Sequence, residues 1–461
     1  MSSSRVLLFG LLLVPGLLPL YYGGVYPWSW SAAAIWTGML SIIMVGQIVL
    51  GRSTLQVPMA QLKWPLILFL IVLAWIAVQW SPYTPEAWHH PLWQMAAETG
   101  GFPYQGRISL DPFATYESGI KLLSYGLMIF IAIHVGRNSS HARTILSGVT
   151  IIIAAYCCMG FIAQGFGDQG FLWFPERRVS GQLGEGGRLA MPFFSPNNLA
   201  AYASIGMIMC LAFILELFDS FMIGISPTSQ KIKRFAIHLI SHKWFLVCGV
   251  ILFSTVLALS KSRGGTLALI MGLVALLVAP MAGSRLMRGS GIFASLALFV
   301  VLFSLVAGSY DGVLKRFSLE ALSSVGRFNV YEPAFEAIEA SPWLGYGYGS
   351  YKAVAKIHAD RDSIRIDEFA HNTMLENTVE LGIAGAIILA WSLVWLVFVT
   401  WNGVRRRRKN IVMPLIAFAV SVQLILYSLI DFPLQIPAIG YTYALILGIG
   451  VAQSFSSIRR N

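Results

Sequence analysis

Apolar residues come in long unbroken runs along this chain, and polar residues collect in the joints between them. Such runs fall at residues 6–22, 28–50, 64–80, 114–135, 144–166, 198–217, 244–260, 265–282, 291–308, 382–401, 411–430 and 437–452. Each has about the 17–25 residues that a helix needs to cross a hydrocarbon core. The runs are continuous rather than alternating, which selects helices over a barrel, the only other fold that satisfies its own backbone in lipid. The pattern predicts an all-α integral membrane protein of about twelve transmembrane helices, one polytopic domain over residues 1–461. A long extracytoplasmic loop, residues 309–371, joins spans nine and ten.

Charge then orients the bundle. With both termini in the cytoplasm, that side receives Arg5, Arg52, Lys63, Arg137, Arg143, Lys231, Lys233, Arg234, Lys243, Arg285, Arg288, the run from Arg405 to Lys409, and Arg459-Arg460. These are 18 of the 32 Lys and Arg, against only Glu216 and Asp219 of the 21 acids, as the positive-inside bias requires. A net charge of +11 would suggest nucleic acid in a soluble protein. Here the basic residues follow membrane topology, and no nucleic-acid partner is expected. Only 11% of residues are charged, against about 25% in soluble domains. Cys157, Cys158, Cys210 and Cys248 all fall inside apolar runs, where cysteine is a small packing residue; they form neither a disulfide framework nor a metal spacing.

The opposite face holds the chemistry. Its loops carry Trp88-His89-His90-Pro91, then Gly184-Glu185-Gly186-Gly187-Arg188, then Phe194-Ser195-Pro196-Asn197-Asn198, the turn Ser260-Lys261-Ser262-Arg263-Gly264-Gly265, and the long loop ending at His371-Asn372. Arg188, Lys261, Arg263 and Arg327 sit in three of these loops. Guanidinium forks suit the paired oxygens of a phosphate, and a lipid diphosphate presents them at headgroup depth. Any one of these side chains could equally snorkel to lipid phosphates. The glycines beside Arg188 and Arg263, which let backbone approach a ligand, favour the diphosphate for that pair.

His371 lies where the chain re-enters the membrane, and a neutral imidazole can take a proton from an attacking hydroxyl. Glu368 could orient the ring, while Asn372, Glu376 and Glu380 recur at i, i+4 and i+8 and share a helical face. The same spacing fits a helix cap at His371 with the two glutamates paired to loop cations. Adjacent His89 and His90 make a poor metal site by themselves, and no metal or other cofactor is expected.

The order Phe194-Ser195-Pro196-Asn197-Asn198-Leu199-Ala200, Ser262-Arg263-Gly264, Gly326-Arg327-Phe328, Pro342-Trp343-Leu344-Gly345-Tyr346-Gly347, and His371-Asn372 with Leu375-Glu376 and Gly382 resembles the bacterial O-antigen ligase and polymerase superfamily over residues 181–385. That resemblance implies a metal-independent, inverting membrane glycosyltransferase of the GT-C type on the periplasmic face of the inner membrane. Its donor would be a glycan on undecaprenyl diphosphate, and its acceptor lipid A-core or a second lipid-linked glycan. By the same likeness His371 matches the histidine that activates the acceptor hydroxyl, Arg188 and Arg263 match the donor-diphosphate arginines, and Arg327 matches a further family arginine. The basic outer loops lean toward a ligase over a polymerase. A secondary transporter is the competing class, although transporters place their charges near the midplane and not at the ends of spans.

Overall fold

The computed structural model describes residues 3–101, 105–166, 188–223, 227–282, 327–358, 369–407 and 410–455. These form helices α1 (Ser3–Leu17), α2 (Pro27–Val49), α3 (Met59–Trp80), α4 (Pro91–Gly100), α5 (Pro112–Gly136), α6 (Ser139–Phe166), α7 (Pro196–Met222), α8 (Thr228–His242), α9 (Trp244–Ser260), α10 (Arg263–Val278), α11 (Arg327–Ala340), α12 (Tyr351–His358), α13 (Thr373–Arg406), α14 (Val412–Tyr427) and α15 (Pro437–Ser454). Eleven of the twelve apolar runs coincide with helices, and residues 291–308 lie outside the described residues.

The count of twelve spans is not reached among the described residues. Seven helices are long and apolar enough to cross a membrane, or eight if α8 and α9 count as one bent span. At 15 and 16 residues, α1 and α14 are shorter than the roughly 20 residues a 30 Å core asks for. The chain is nonetheless a multi-pass membrane protein. Helix α8 meets α9 at 80°.

Helix α15 is the hub. Every residue from Pro437 to Gln453 is buried, so this helix is apolar all round, unlike one with a single core-facing stripe. Helix α7 is enclosed nearly as fully. Helices α2 and α3 instead turn large apolar side chains outward, such as Ile42 and Leu70, toward lipid.

Local sequence sets where the helices begin. Asp111, Ser195, Ser262 and Asn372 each accept a hydrogen bond from a backbone N–H in the first turn of α5, α7, α10 and α13, satisfying donors a helix cannot pair internally. Proline follows Asp111 and Ser195 at the first helical position, where its missing N–H costs nothing. These capped starts lie at one end of the bundle and build the site.

Above α13 sits a cap made of α11, α12 and the loop between them. Ala334, Ala337, Tyr346, Tyr351, Val354, Ala370 and Val379 form its small core. Residues 335–339 fall within α11. The cap docks through a break in α13 at Gly382, whose φ is +73° and ψ is 166°. Gly345, with φ +66°, abuts that break, and a side chain there would strike the backbone at Glu380 and Gly382. The interrupted helix leaves carbonyls that need new donors. Gln79 Nε2 donates to Glu380 O and Leu344 O, both at 2.8 Å, and Trp75 Nε1 donates to Leu381 O at 2.9 Å. Ile383 N donates to Pro342 O at 2.8 Å. The glycine-aromatic run of the long loop is therefore a docking segment, held by α3 and α13.

Candidate active site

One chain of hydrogen bonds links residues from four parts of the sequence. His371 Nδ1 faces Asp431 Oδ1 at 3.4 Å. Asp431 Oδ2 accepts from Asn197 Nδ2 at 2.8 Å. Asn197 Oδ1 accepts from Arg188 Nη2 at 3.0 Å and from Ser262 Oγ at 2.8 Å. Arg188 Nε donates to Ser260 O at 2.8 Å. Three loops are thereby pinned to the turn between α14 and α15.

The backbone prepares each member. His371 sits at φ +49°, uncommon for a residue with a side chain and typical of sites where tertiary contacts impose the conformation. Asn372, directly after it, caps α13 by accepting from Met374 N and Leu375 N at 3.1 Å each. The histidine is thus not the cap, and its ring is left for other work. Phe432 packs against that ring, with centroids 5.1 Å apart. Asp431 is 3% exposed and His371 29%. A carboxylate so enclosed needs several donors; besides His371 and Asn197 it accepts from Phe432 N at 3.0 Å.

That geometry favours one tautomer. A proton on Nδ1, directed at Asp431, leaves Nε2 with a lone pair. A ring so held can take a proton at Nε2 from a hydroxyl, and its carboxylate partner stabilises the imidazolium that forms.

The expected site residues separate into three groups. His371 and Arg188 join through Asn197 and Asp431. Lys261 and Arg263 flank Ser262, which bonds Asn197, and both are exposed at the end of the bundle. Lys261 is left-handed at φ +49° and Arg263 opens α10. The starts of α7, α10 and α13 lie around this network, and helix N-termini carry partial positive charge. With the arginines they make this end favourable to an anion.

Glu376 and Glu380 behave differently from expectation. Both are buried: Ala370 N donates to Glu376 Oε2 at 3.2 Å and Tyr351 N donates to Glu380 Oε1 at 3.0 Å, the Gln435 side chain also bonds Glu376, and the Lys121 ammonium acts on Glu380. They tie the cap to α13, and their support of His371 is indirect. Glu368 and the side chain of Arg327 lie outside the described residues.

Reading the sequence missed two members. Asn197 was visible only as part of a motif. Asp431 carried a signal: it is the one Asp, Glu, Lys, Arg or His between Ile411 and Phe455, and a lone ionisable group among apolar spans is functional or paired by default. In the cap, His90 Nδ1 accepts from Leu92 N at 3.3 Å and so starts α4. Burial, and secondarily the charge of His358, hold His90 below the ordinary histidine range.

Part of the chain is similar in sequence to known proteins. Residues 248–390 match the family described as O-antigen ligase; the segment includes Arg263, His371 and both glutamates, while Arg188, Asn197 and Asp431 lie outside it. The chain is 24% identical over 278 residues to the general O-oligosaccharyltransferase of Acinetobacter baylyi, covering 57% of this chain and 43% of that protein. It is 25% identical over 297 residues to the exopolysaccharide production protein ExoQ of Rhizobium meliloti, covering 63% and 61%. The chain thus spans less than two thirds of the length of either relative. Residues 248–390, set in a multi-pass helical bundle, thus form a segment that matches the O-antigen ligase family.

Proposed function

We propose that this protein moves a glycan from a polyprenyl diphosphate to a hydroxyl acceptor at the outer face of the bacterial inner membrane. His371 is the base, and Arg188, Arg263 and Lys261 hold the donor diphosphate. The observation that carries this reading is the run His371–Asp431–Asn197–Arg188, which sets a base and an anion-binding end on one scaffold.

The steps follow from that placement. The acceptor hydroxyl approaches His371 Nε2 and loses its proton there as its oxygen bonds to the anomeric carbon. The bond from that carbon to the diphosphate breaks on the opposite side, inverting the centre. Charge grows on the departing diphosphate, where fixed guanidinium groups in a site of low dielectric are most effective. Asp431 and Asn197 keep His371 and Arg188 in register while charge moves between them. The energy resides in the sugar–diphosphate linkage, so the scheme draws on no metal or nucleotide.

The acceptor divides two readings. The basic outer loops support lipid A-core, and hence an O-antigen ligase in lipopolysaccharide assembly. Similarity to an exopolysaccharide production protein supports a polymerase that uses a second lipid-linked glycan. The test is transfer from a purified lipid-diphosphate donor with both acceptors in parallel, using wild type and His371→Ala. Product on lipid A-core, lost in the variant, supports the ligase; a lengthened glycan on polyprenyl diphosphate supports the polymerase. Transfer that survives His371→Ala removes the base, and no transfer to either acceptor brings the transporter forward.

A further inference from the structure

An elongated apolar cavity of about 730 Å³ runs down the bundle between α3, α5 and α13. On α5 its wall extends from Ser118 to Ile133, about 22 Å at 1.5 Å per residue. Apolar side chains line most of it, including Leu62, Phe69, Leu122 and Leu393. That length suits an extended apolar chain better than a compact ligand.

Its upper end is polar and unfinished. Among the described residues, six buried side-chain polar atoms have no hydrogen-bond partner, and three of them, Tyr125 Oη, Ser428 Oγ and Gln435 Oε1, belong to residues lining this cavity. Lys121 and Lys352 line the same end as Glu376 and Glu380, so it lacks the uncompensated positive charge that a diphosphate site needs.

The cavity also comes within one residue of the His371–Asp431 pair. Thr373 and Ser428 line it; Thr373 Oγ1 donates to Asp431 O at 3.3 Å, and Thr373 N donates to Ser428 O at 2.8 Å. The cavity therefore meets the His371–Asp431 pair from the α3–α5 side, whereas Arg188 and Arg263 approach from α7 and α10. In an inverting displacement the nucleophile enters opposite the leaving diphosphate.

We infer that this cavity holds the long apolar chain of a lipid-linked acceptor and not that of the donor. The inference rests on the transfer reading above. It explains how an acceptor hydroxyl is held beside His371 while the arginines keep the donor.

The test uses full-length protein in nanodiscs, with Leu393→Trp and, separately, Leu122→Trp to narrow the cavity, each checked for an unchanged melting temperature. Two acceptors carry the same glycan: one on polyprenyl monophosphate, which cannot act as donor, and one with no lipid. Burying several methylenes at about 0.8 kcal/mol each makes an advantage of tenfold or more for the lipid-linked acceptor the expected wild-type result, with both substitutions shrinking it about tenfold. The KM for the donor should stay within about twofold. A raised donor KM with the acceptor advantage intact would assign the cavity to the donor, and no change in either would empty it of substrate; both overturn the inference. A polyprenyl monophosphate carrying a diazirine on its chain, crosslinked and mapped, reads the cavity independently of turnover. Label in α3, α5 or α13, lost in Leu393→Trp, supports the inference, and label in α7 or α10 overturns it. Wild type that crosslinks in the cavity but transfers to neither acceptor would sink the transfer reading alone.

A lipid A-core arm separates the two chain-bearing acceptors. Sensitivity of the polyprenyl acceptor to both substitutions is expected; sensitivity of lipid A-core alone would overturn the single-chain assignment.

Discussion

Both ends of this bundle hold arginines, and they are used in opposite ways. At one end Arg188 donates to Ser260 O and also to an amide that is bound to a carboxylate that faces a histidine, and Arg263 is the first residue of α10. At the other, Arg137 Nη1 donates to Ala452 O and Phe455 O, and Arg407 Nη1 donates to Gln453 O and Phe455 O. These two guanidinium groups close the last carbonyls of α15, the negative pole of a helix. Burial holds both below the usual arginine range. The first end is built from helix starts and side chains that can exchange partners with a substrate. The second is built from helix ends whose partners are backbone. Charge spent on backbone stabilises a fold; charge relayed through side chains can do chemistry.

The widest test of that contrast is His371→Ala, expected to cut transfer by about 10²–10⁴-fold with the protein still folded, measured as single-turnover product formation. Next comes Asp431→Asn. An amide keeps one acceptor oxygen where the carboxylate offers two, so His371 Nδ1 or Asn197 Nδ2 is left facing an NH2 group and the charge that steadies the imidazolium is gone; a fall of about 10²-fold in kcat is expected. The check is a pH–rate profile beside Asp431→Glu, which should recover part of the rate; equal stability loss without a kcat effect would reduce Asp431 to packing.

Arg263→Ala should act mainly on donor binding, raising its KM by about tenfold, the scale of one charge-assisted contact, read from initial rates at fixed acceptor. Arg407→Ala is the opposite probe. It should lower stability by about 1–3 kcal/mol, seen as a lower melting temperature, while leaving kcat near wild type. If it abolished transfer in folded protein, the division between the two ends would fail.

The smallest effect belongs to the cap. His90 is held below its ordinary value of 6.5, so the folded state binds fewer protons than the unfolded state just below that pH. Its contribution is therefore present above pH 6.5 and is lost as pH falls toward the folded value. Protonation also removes the Nδ1 acceptor that starts α4. Hydrogen exchange over Pro91–Gly100 should quicken as pH falls below 6.5, after correction for intrinsic exchange, and His90→Asn, which retains a capping acceptor without a titrating ring, should flatten that dependence.

The sequence carried the helices because hydrophobic length is a local property. Runs at 28–50 and 114–135 became α2 and α5 with ends moved by one or two residues, since Pro27 and Asp111-Pro112 mark their starts. Span ten was placed from Gly382, yet the helix begins at Thr373. Glu376 and Glu380 mask its hydrophobic signal, and they are tolerated because the cap supplies N–H groups. Likewise the glycines near Trp343 could be recognised as a motif, but only the break opposite them shows what they dock against.

By itself, then, the sequence determined a multi-pass helical protein, its basic face, and His371 and Arg188 as residues of one end. Those follow from composition, periodicity and motif order along a single chain. The tertiary structure decided that Asp431 faces His371 across 60 positions and that Asn197 reaches Asp431 across 234. It also decided that the two glutamates hold a cap, and that α15 stands at the centre. Partners so far apart are chosen by how helices pack, and packing depends on all of the buried surfaces at once.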